Sequence, residues 1–200
     1  MVKIFRPLVV ICLLFSIGST AFAYDFWANN AKLEEGITGE YYHISDTFFD
    51  GVYYASYIRD AVDDWNQSVS PTPGNTTSVS FTETSTNSES IADFIIDNYG
   101  TTGWNGVANF FSADAEGGYG QINEDGFGPD EDYGYAQLSL NDTYLNDDSA
   151  SDITATAKHE FGHALGLAHS GVLNSIMYEN RDRTTYDVES DDVSGVKALY

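Results

Sequence analysis

Residues 158–170 read KHEFGHALGLAHS and hold three of the four histidines of a 200-residue chain. His159 and His163 are four residues apart, so on a helix their side chains stand one turn apart on one face. Two imidazole nitrogens at that separation suit a single zinc ion, each at about 2.0–2.1 Å. Glu160 follows about 100° round such a helix, where its carboxylate reaches a water on the metal without readily ligating it. A chain that turns at Gly166 brings His169 back as a third ligand, and glycine adopts φ > 0 at little cost. Three protein ligands leave a fourth position open for water, as catalytic zinc requires and structural zinc does not. The chemistry implied is metal-assisted hydrolysis, with zinc activating water and polarising a carbonyl. Glu160 would take the water's proton as general base and pass it to the leaving amine. The pattern H-E-x-x-H-x-x-G-x-x-H fixes five positions, and a chance match in such a chain is roughly one in 10⁵.

The elements that must position these residues are legible in outline. SASDITATAKHEFGHALG (149–166) reads as a helix, with Ser151 as N-cap and Asp152 at its positive end. Ile153, Ala157, Phe161 and Ala164 with Leu165 form its apolar face, and Gly166 stops it. Residues 46–68 repeat apolar side chains at three- and four-residue spacing from Phe48 to Trp65, predicting a long helix capped by Asp46. Strand patterns occupy 37–45, 78–83, 93–100, 106–113 and 135–141, and 187–200 predicts a short C-terminal helix. Residues 70–77 are turn chemistry, and 114–134 form a long acidic, glycine-rich loop. Strands and helices in this order predict a sheet with helices packed on it, α+β or α/β, in one domain without internal repeats.

Composition bounds the class. Residues 1–23 carry a basic start, an apolar run too short to span a membrane, and a small-x-small end at Ala21-Phe22-Ala23. This is the layout of a secretory signal peptide, leaving residues 24–200 as a single domain without a membrane segment. The only cysteine, Cys12, would leave with that peptide, so no disulfide or thiol chemistry is expected. Losing Lys3 and Arg6 from the eight basic residues takes the formal charge from −23 to −25. Such a chain repels nucleic acid and anionic membranes. The acidity serves solubility, with a preference for cationic substrates or bound calcium as the sharper reading. Asp93, Asp97, Asp125, Asp130 and Asp132 are the candidate calcium ligands, although NEDGFGPDED departs from the EF-hand spacing and a solvated acidic loop explains it equally well. Tyr42, Tyr53, Tyr54 and Trp104 are expected as core or strand-pair aromatics. Asn66, Asn75 and Asn141 match the glycosylation acceptor pattern, expected to be coincidental if the source is bacterial, as the missing cysteines suggest.

HEFGHALGLAH followed by SIMYEN resembles the zinc signature and methionine turn of the metzincin metalloproteases. Ser170 after the third histidine and Met177-Tyr178 in the turn resemble the matrixin branch and its compact bacterial relatives. The likeness extends through TTGWNGVANFF, YAQLSLNDTYLN and DDVSGVKALY across most of 37–200, although only 159–177 is highly specific. It implies an α+β zincin-like fold: a twisted, mixed, five-stranded sheet, a long N-terminal helix, an active-site helix, a methionine turn and a C-terminal helix. It also implies a cleft between two subdomains, Met177 as a hydrophobic floor beneath the metal, and substrate lying along an edge strand at 106–113. The expected activity is that of a secreted, monomeric, zinc-dependent endopeptidase acting on proteins or peptides, using zinc-activated water and a glutamate base.

Three departures limit the likeness. No cysteine remains to serve a cysteine-switch propeptide. His43 alone cannot build a second, structural zinc site, so one zinc is expected. Glu179 stands where astacin-like relatives place a tyrosine, so Tyr178 is expected to pack or to wall a pocket. A binding module without turnover is the alternative from another class, but such proteins usually lose the base or a ligand and this chain keeps both; a hydrolase of cell-wall peptides would carry the same residues. Acid should release the metal, because ligand histidines must be neutral.

Overall fold

The computed structural model describes residues 24–67, 76–113, 119–122 and 128–200. Residues 1–23, read above as a signal peptide and including Cys12, lie outside the described residues, as do Asn75 and Asp125. One sheet of six strands runs in the order β2-β1-β3-β6-β4-β5. Strands β1 (Thr38–Ile44), β2 (Ser80–Glu83), β3 (Ala92–Asp97) and β6 (Tyr135–Asn141) are mutually parallel. Strand β4 (Gly106–Ala113) runs antiparallel to β6, and the short β5 (Tyr119–Gln121) pairs only with Phe111–Ala113. Of the region 106–113 expected to be a substrate edge, β5 covers Phe111–Ala113, and no second strand of the described residues pairs with the part before it. The sheet has one strand more than the five implied. Tyr119–Gln121, inside the segment expected to be loop, folds back on β4 because an antiparallel partner satisfies its backbone groups.

Two long helices cover the sheet. Helix α1 (Tyr54–Asn66) buries Tyr54, Ile58, Val62 and Trp65, and α3 (Ala150–Ala164) buries Ile153, Ala157 and Phe161. Phe161 rests between Phe81 at 5.1 Å and Phe94 at 6.0 Å, ring centre to ring centre. Each such buried aromatic contributes roughly 1.5–3 kcal/mol. Trp65 Nε1 donates to the Lys158 carbonyl at 3.0 Å, tying α1 to the middle of α3. The buried Lys158 ammonium meets Asp64 at 2.7 Å and Asp187 at 3.1 Å. A single turn, α2 (Asp142–Leu145), follows β6, and α4 (Ser190–Leu199) closes the chain. No helix of the described residues is long and apolar enough to cross a membrane.

Two helix starts differ from the sequence pattern. Helix α1 begins at Tyr54 rather than after Asp46, because Asp50 and Gly51 both take positive φ (41° and 93°) and fold Phe49 against Val52. Phe48 is left 62% exposed, so its place in the apolar repeat is accidental. Helix α3 is capped by Ser149, not Ser151: its hydroxyl accepts from the Asp152 N–H at 3.2 Å. The Asn141 side chain is buried and donates to the Gly100 carbonyl at 2.9 Å, so it is no glycosylation acceptor in this fold.

Candidate metal centre

His159 and His163 sit one turn apart in the buried second half of α3. After His163 the helix ends in paired capping bonds, Gly166 N–H to the His163 carbonyl at 2.9 Å and Leu167 N–H to the Gly162 carbonyl at 3.1 Å. Gly166 has φ 95°, and a Cβ there would stand 2.8 Å from Leu199. The turn therefore requires glycine both for its conformation and for close packing. It returns the chain so that His169 faces the two helical histidines. One ring nitrogen from each of the three lies within 4.8 Å of the others, and among the described residues this is the one cluster able to hold a metal ion.

Hydrogen bonds orient the ligands. His159 Nδ1 donates to the Ile176 carbonyl at 2.8 Å, and His163 Nδ1 donates to the Leu167 carbonyl at 2.7 Å. A carbonyl only accepts, so both rings hold their proton on Nδ1 and present an Nε2 lone pair. Burial pushes the His159 imidazole down to about 3, holds His163 well below the usual range, and lowers the more exposed His169. All three are neutral at physiological pH, the state that metal ligation needs. The donor set therefore fits zinc. Trp27 covers one side, its ring 5.0 Å from that of His163.

Met177 lies fully buried under α3, where a Cβ on Gly162 would come within 2.2 Å of its sulfur. The turn that carries it is held from α4. Asp192 Oδ2 accepts from Ile176 N–H at 3.0 Å and Glu189 N–H at 2.8 Å, while Oδ1 accepts from Ser175 Oγ at 2.5 Å and Met177 N–H at 3.3 Å. Burial pushes the Asp192 carboxyl up to about 6 in spite of these donors. Asp191 accepts from Ser170 Oγ at 2.8 Å. Sequence reasoning missed both aspartates. Two acids opening a helix that otherwise packs inward were the available signal. Tyr178 is half-buried behind the site and pairs with Ser170; it does not line the cleft.

Glu160 is buried, and burial pushes its carboxyl up to about 8, against a smaller opposing effect of Arg183. Its Oε2 has no hydrogen-bond partner. Strand β4 approaches so closely that a Cβ on Gly106 would stand 2.6 Å from the Glu160 side chain. Between the two runs a cleft of about 700 Å³, whose walls include Trp104, Gly106, Thr156, Glu179, Arg181 and Arg183. Trp104, expected in the core, is therefore a cleft residue. Tyr42 and Tyr54 are buried as expected, and Tyr53 is 49% exposed.

The acidic candidates are scattered. Asp93 is buried under Ser90 and Tyr135, whose hydroxyls both donate to it. Asp97 caps the end of β3 and accepts from Asn98 N–H at 2.7 Å. Asp132 accepts from Lys32 N–H at 3.0 Å, and Asp130 is exposed nearby. The described residues gather no three of them around one point.

Comparison with known proteins agrees with this geometry. The matrixin family model matches residues 41–200. Human neutrophil collagenase is 37% identical over 70 residues, covering 34% of this chain and 15% of that protein. Matrix metalloproteinase-25 of Mus musculus is 49% identical over 59 residues, covering 27% of this chain and 10% of that one. Macrophage metalloelastase of Oryctolagus cuniculus is 31% identical over 116 residues, covering 50% and 24%. The chain thus spans a quarter or less of the length of these relatives.

Proposed function

The chain belongs to the matrixin family, and from that premise we propose that it is a secreted, zinc-dependent endopeptidase with Glu160 as general base. One observation carries the reading: three neutral imidazoles converge beside a buried glutamate whose free oxygen faces a cleft edged by an open strand. His159, His163 and His169 would hold the zinc, which supplies Lewis acidity that activates water and polarises a carbonyl.

The protein's own residues account for the rest. An extended peptide would add to the first part of β4, before the stretch that β5 covers, and gain its register from the sheet. Glu160 takes the proton of the attacking water at its carboxylate and delivers it to the leaving nitrogen. Its burial beneath β4 raises its proton affinity and keeps bulk water from competing. Met177 and Trp27 keep the histidines in place by packing. Residues 1–23 would direct export, and residues 24–200 would be the catalytic domain, acting as a monomer.

The test uses residues 24–200 loaded with zinc, with casein as substrate. The parent should cleave and a chelator should stop it. Glu160→Gln should retain one zinc per chain and lose at least about 10³-fold in turnover, the upper part of the range for a general base. Equal cleavage by the variant would remove Glu160 from the role, and chelator-resistant cleavage would remove the metal.

A further inference from the structure

Two of the few cations of a strongly acidic chain line the cleft. The chain has a formal charge of −23, yet Arg181 and Arg183 both line the groove beside Glu160. Their situations differ. Arg181 is neutralised at its guanidinium by Asp148 at 2.8 Å and Asp152 at 3.3 Å. Arg183 takes part in none of the ion pairs among the described residues. Its Nε is enclosed and has no hydrogen-bond partner. Burial, with Arg181 beside it, lowers its proton affinity, and Asp152 and Glu160 compensate only from a distance. An arginine stays charged under these conditions, so its fork of N–H donors is left without the anion it suits.

We propose that Arg183 makes the cleft select peptides carrying a carboxylate close to the scissile bond. This rests on the peptidase reading above. A peptide extended along Gly106–Phe110 points alternate side chains away from the sheet edge on each side. Those next to the reacting carbonyl pass the wall formed by Arg181 and Arg183. A carboxylate there completes the guanidinium with two parallel hydrogen bonds. A neutral amide of the same shape leaves a desolvated cation unpaired, which is the costlier outcome. Glu179, an acid that also lines the cleft, acts electrostatically on His169. A side chain of the substrate and the carboxylate that ends it both supply this anion; the chemistry is shared, and the experiment separates the two.

The experiment measures kcat/KM for the zinc-loaded residues 24–200 on one peptide series. Glutamate, glutamine, leucine and lysine are placed in turn at each of three positions on either side of the bond, in free-acid and C-terminally amidated forms. The parent should prefer glutamate over glutamine about ten- to a hundredfold at one position, the range expected for a hydrogen bond to a charged group. In Arg183→Gln that ratio should fall close to one, and Arg183→Lys should restore part of it. A preference seen only with free-acid peptides supports the proposal with the chain terminus as the source. Equal rates for glutamate and glutamine in the parent overturn it while leaving the peptidase reading intact, and that comparison needs no variant to fold. An unchanged ratio in a folded Arg183→Gln also overturns it. No cleavage of any peptide by the parent overturns both.

Discussion

Gly162 stands between the two helical histidines, and its missing side chain is the space in which Met177 lies. A Cβ there would meet the methionine sulfur at 2.2 Å and Trp65 at 3.0 Å. Gly162→Ala must therefore displace the floor of the site and should destabilise the protein by about 1–3 kcal/mol. It should also weaken zinc. Urea unfolding of metal-free protein and a zinc competition with a chromogenic chelator would measure the two effects. Unchanged values in both would show that the floor is pliable. At this scale the sequence was highly legible for His159, Glu160, His163, Gly166 and His169, because ligands and turn residues must be of particular types at particular spacings. It was silent on Gly162, Gly106 and Arg183, because volume and charge acquire meaning only from what another segment brings opposite them.

At the level of elements, the methionine turn is a dependency of α4. The Asp192 carboxylate in the first turn of that helix accepts from Ser175, Ile176 and Met177, and the Ile176 carbonyl in turn holds His159 Nδ1. Asp192→Ala removes the acceptor of the buried Ile176 N–H, the half-buried Glu189 N–H and the Ser175 hydroxyl, so it should cost about 2–4 kcal/mol in stability. It should also reduce zinc affinity about 10- to 100-fold through the loosened His159. Thermal melting and zinc competition check this, and normal affinity in the variant would disconnect α4 from the metal. Element type was readable where the apolar period was long and uninterrupted, as in α3. It failed over residues 46–53, where an Asp50-Gly51 turn lay hidden under apolar spacing that looked helical. It also failed over 119–121, where three residues form a strand only because β4 offers them an edge.

For the molecule as a whole, buried titratable groups make stability depend on pH in a specific direction. Glu160 is raised to about 8 in the fold, against an ordinary value of 4.5. Between those values the folded state binds the extra proton, so metal-free stability should rise as pH falls from 8 to 6.5, by up to about 2 kcal/mol. His159 is lowered to about 3 from 6.5, and His163 and His169 shift the same way. Below 6.5 the unfolded chain binds protons that these rings refuse, so their contribution declines with acidity. Asp192, raised to about 6 from 3.8, partly offsets this decline. The metal-free protein should therefore be most stable near pH 6, and denaturant titrations between pH 4 and 8 would show it. A monotonic rise in stability toward pH 8 would contradict the burial of Glu160. The same burial moves acid release of the metal well below the ordinary histidine range.

The sequence by itself picked out the residues able to hold a metal, the carboxyl proposed here as base, and where the helix bearing them must stop. Those are local requirements: residue type, a 3.6-residue period, and one glycine at positive φ. Only the tertiary structure decided which strand forms the open edge over Glu160, which helix steadies the methionine turn, and that a strongly acidic chain lines its cleft with an unpaired arginine. Those outcomes depend on segments far apart in the chain meeting face to face, and desolvation and shape then give each side chain its consequence.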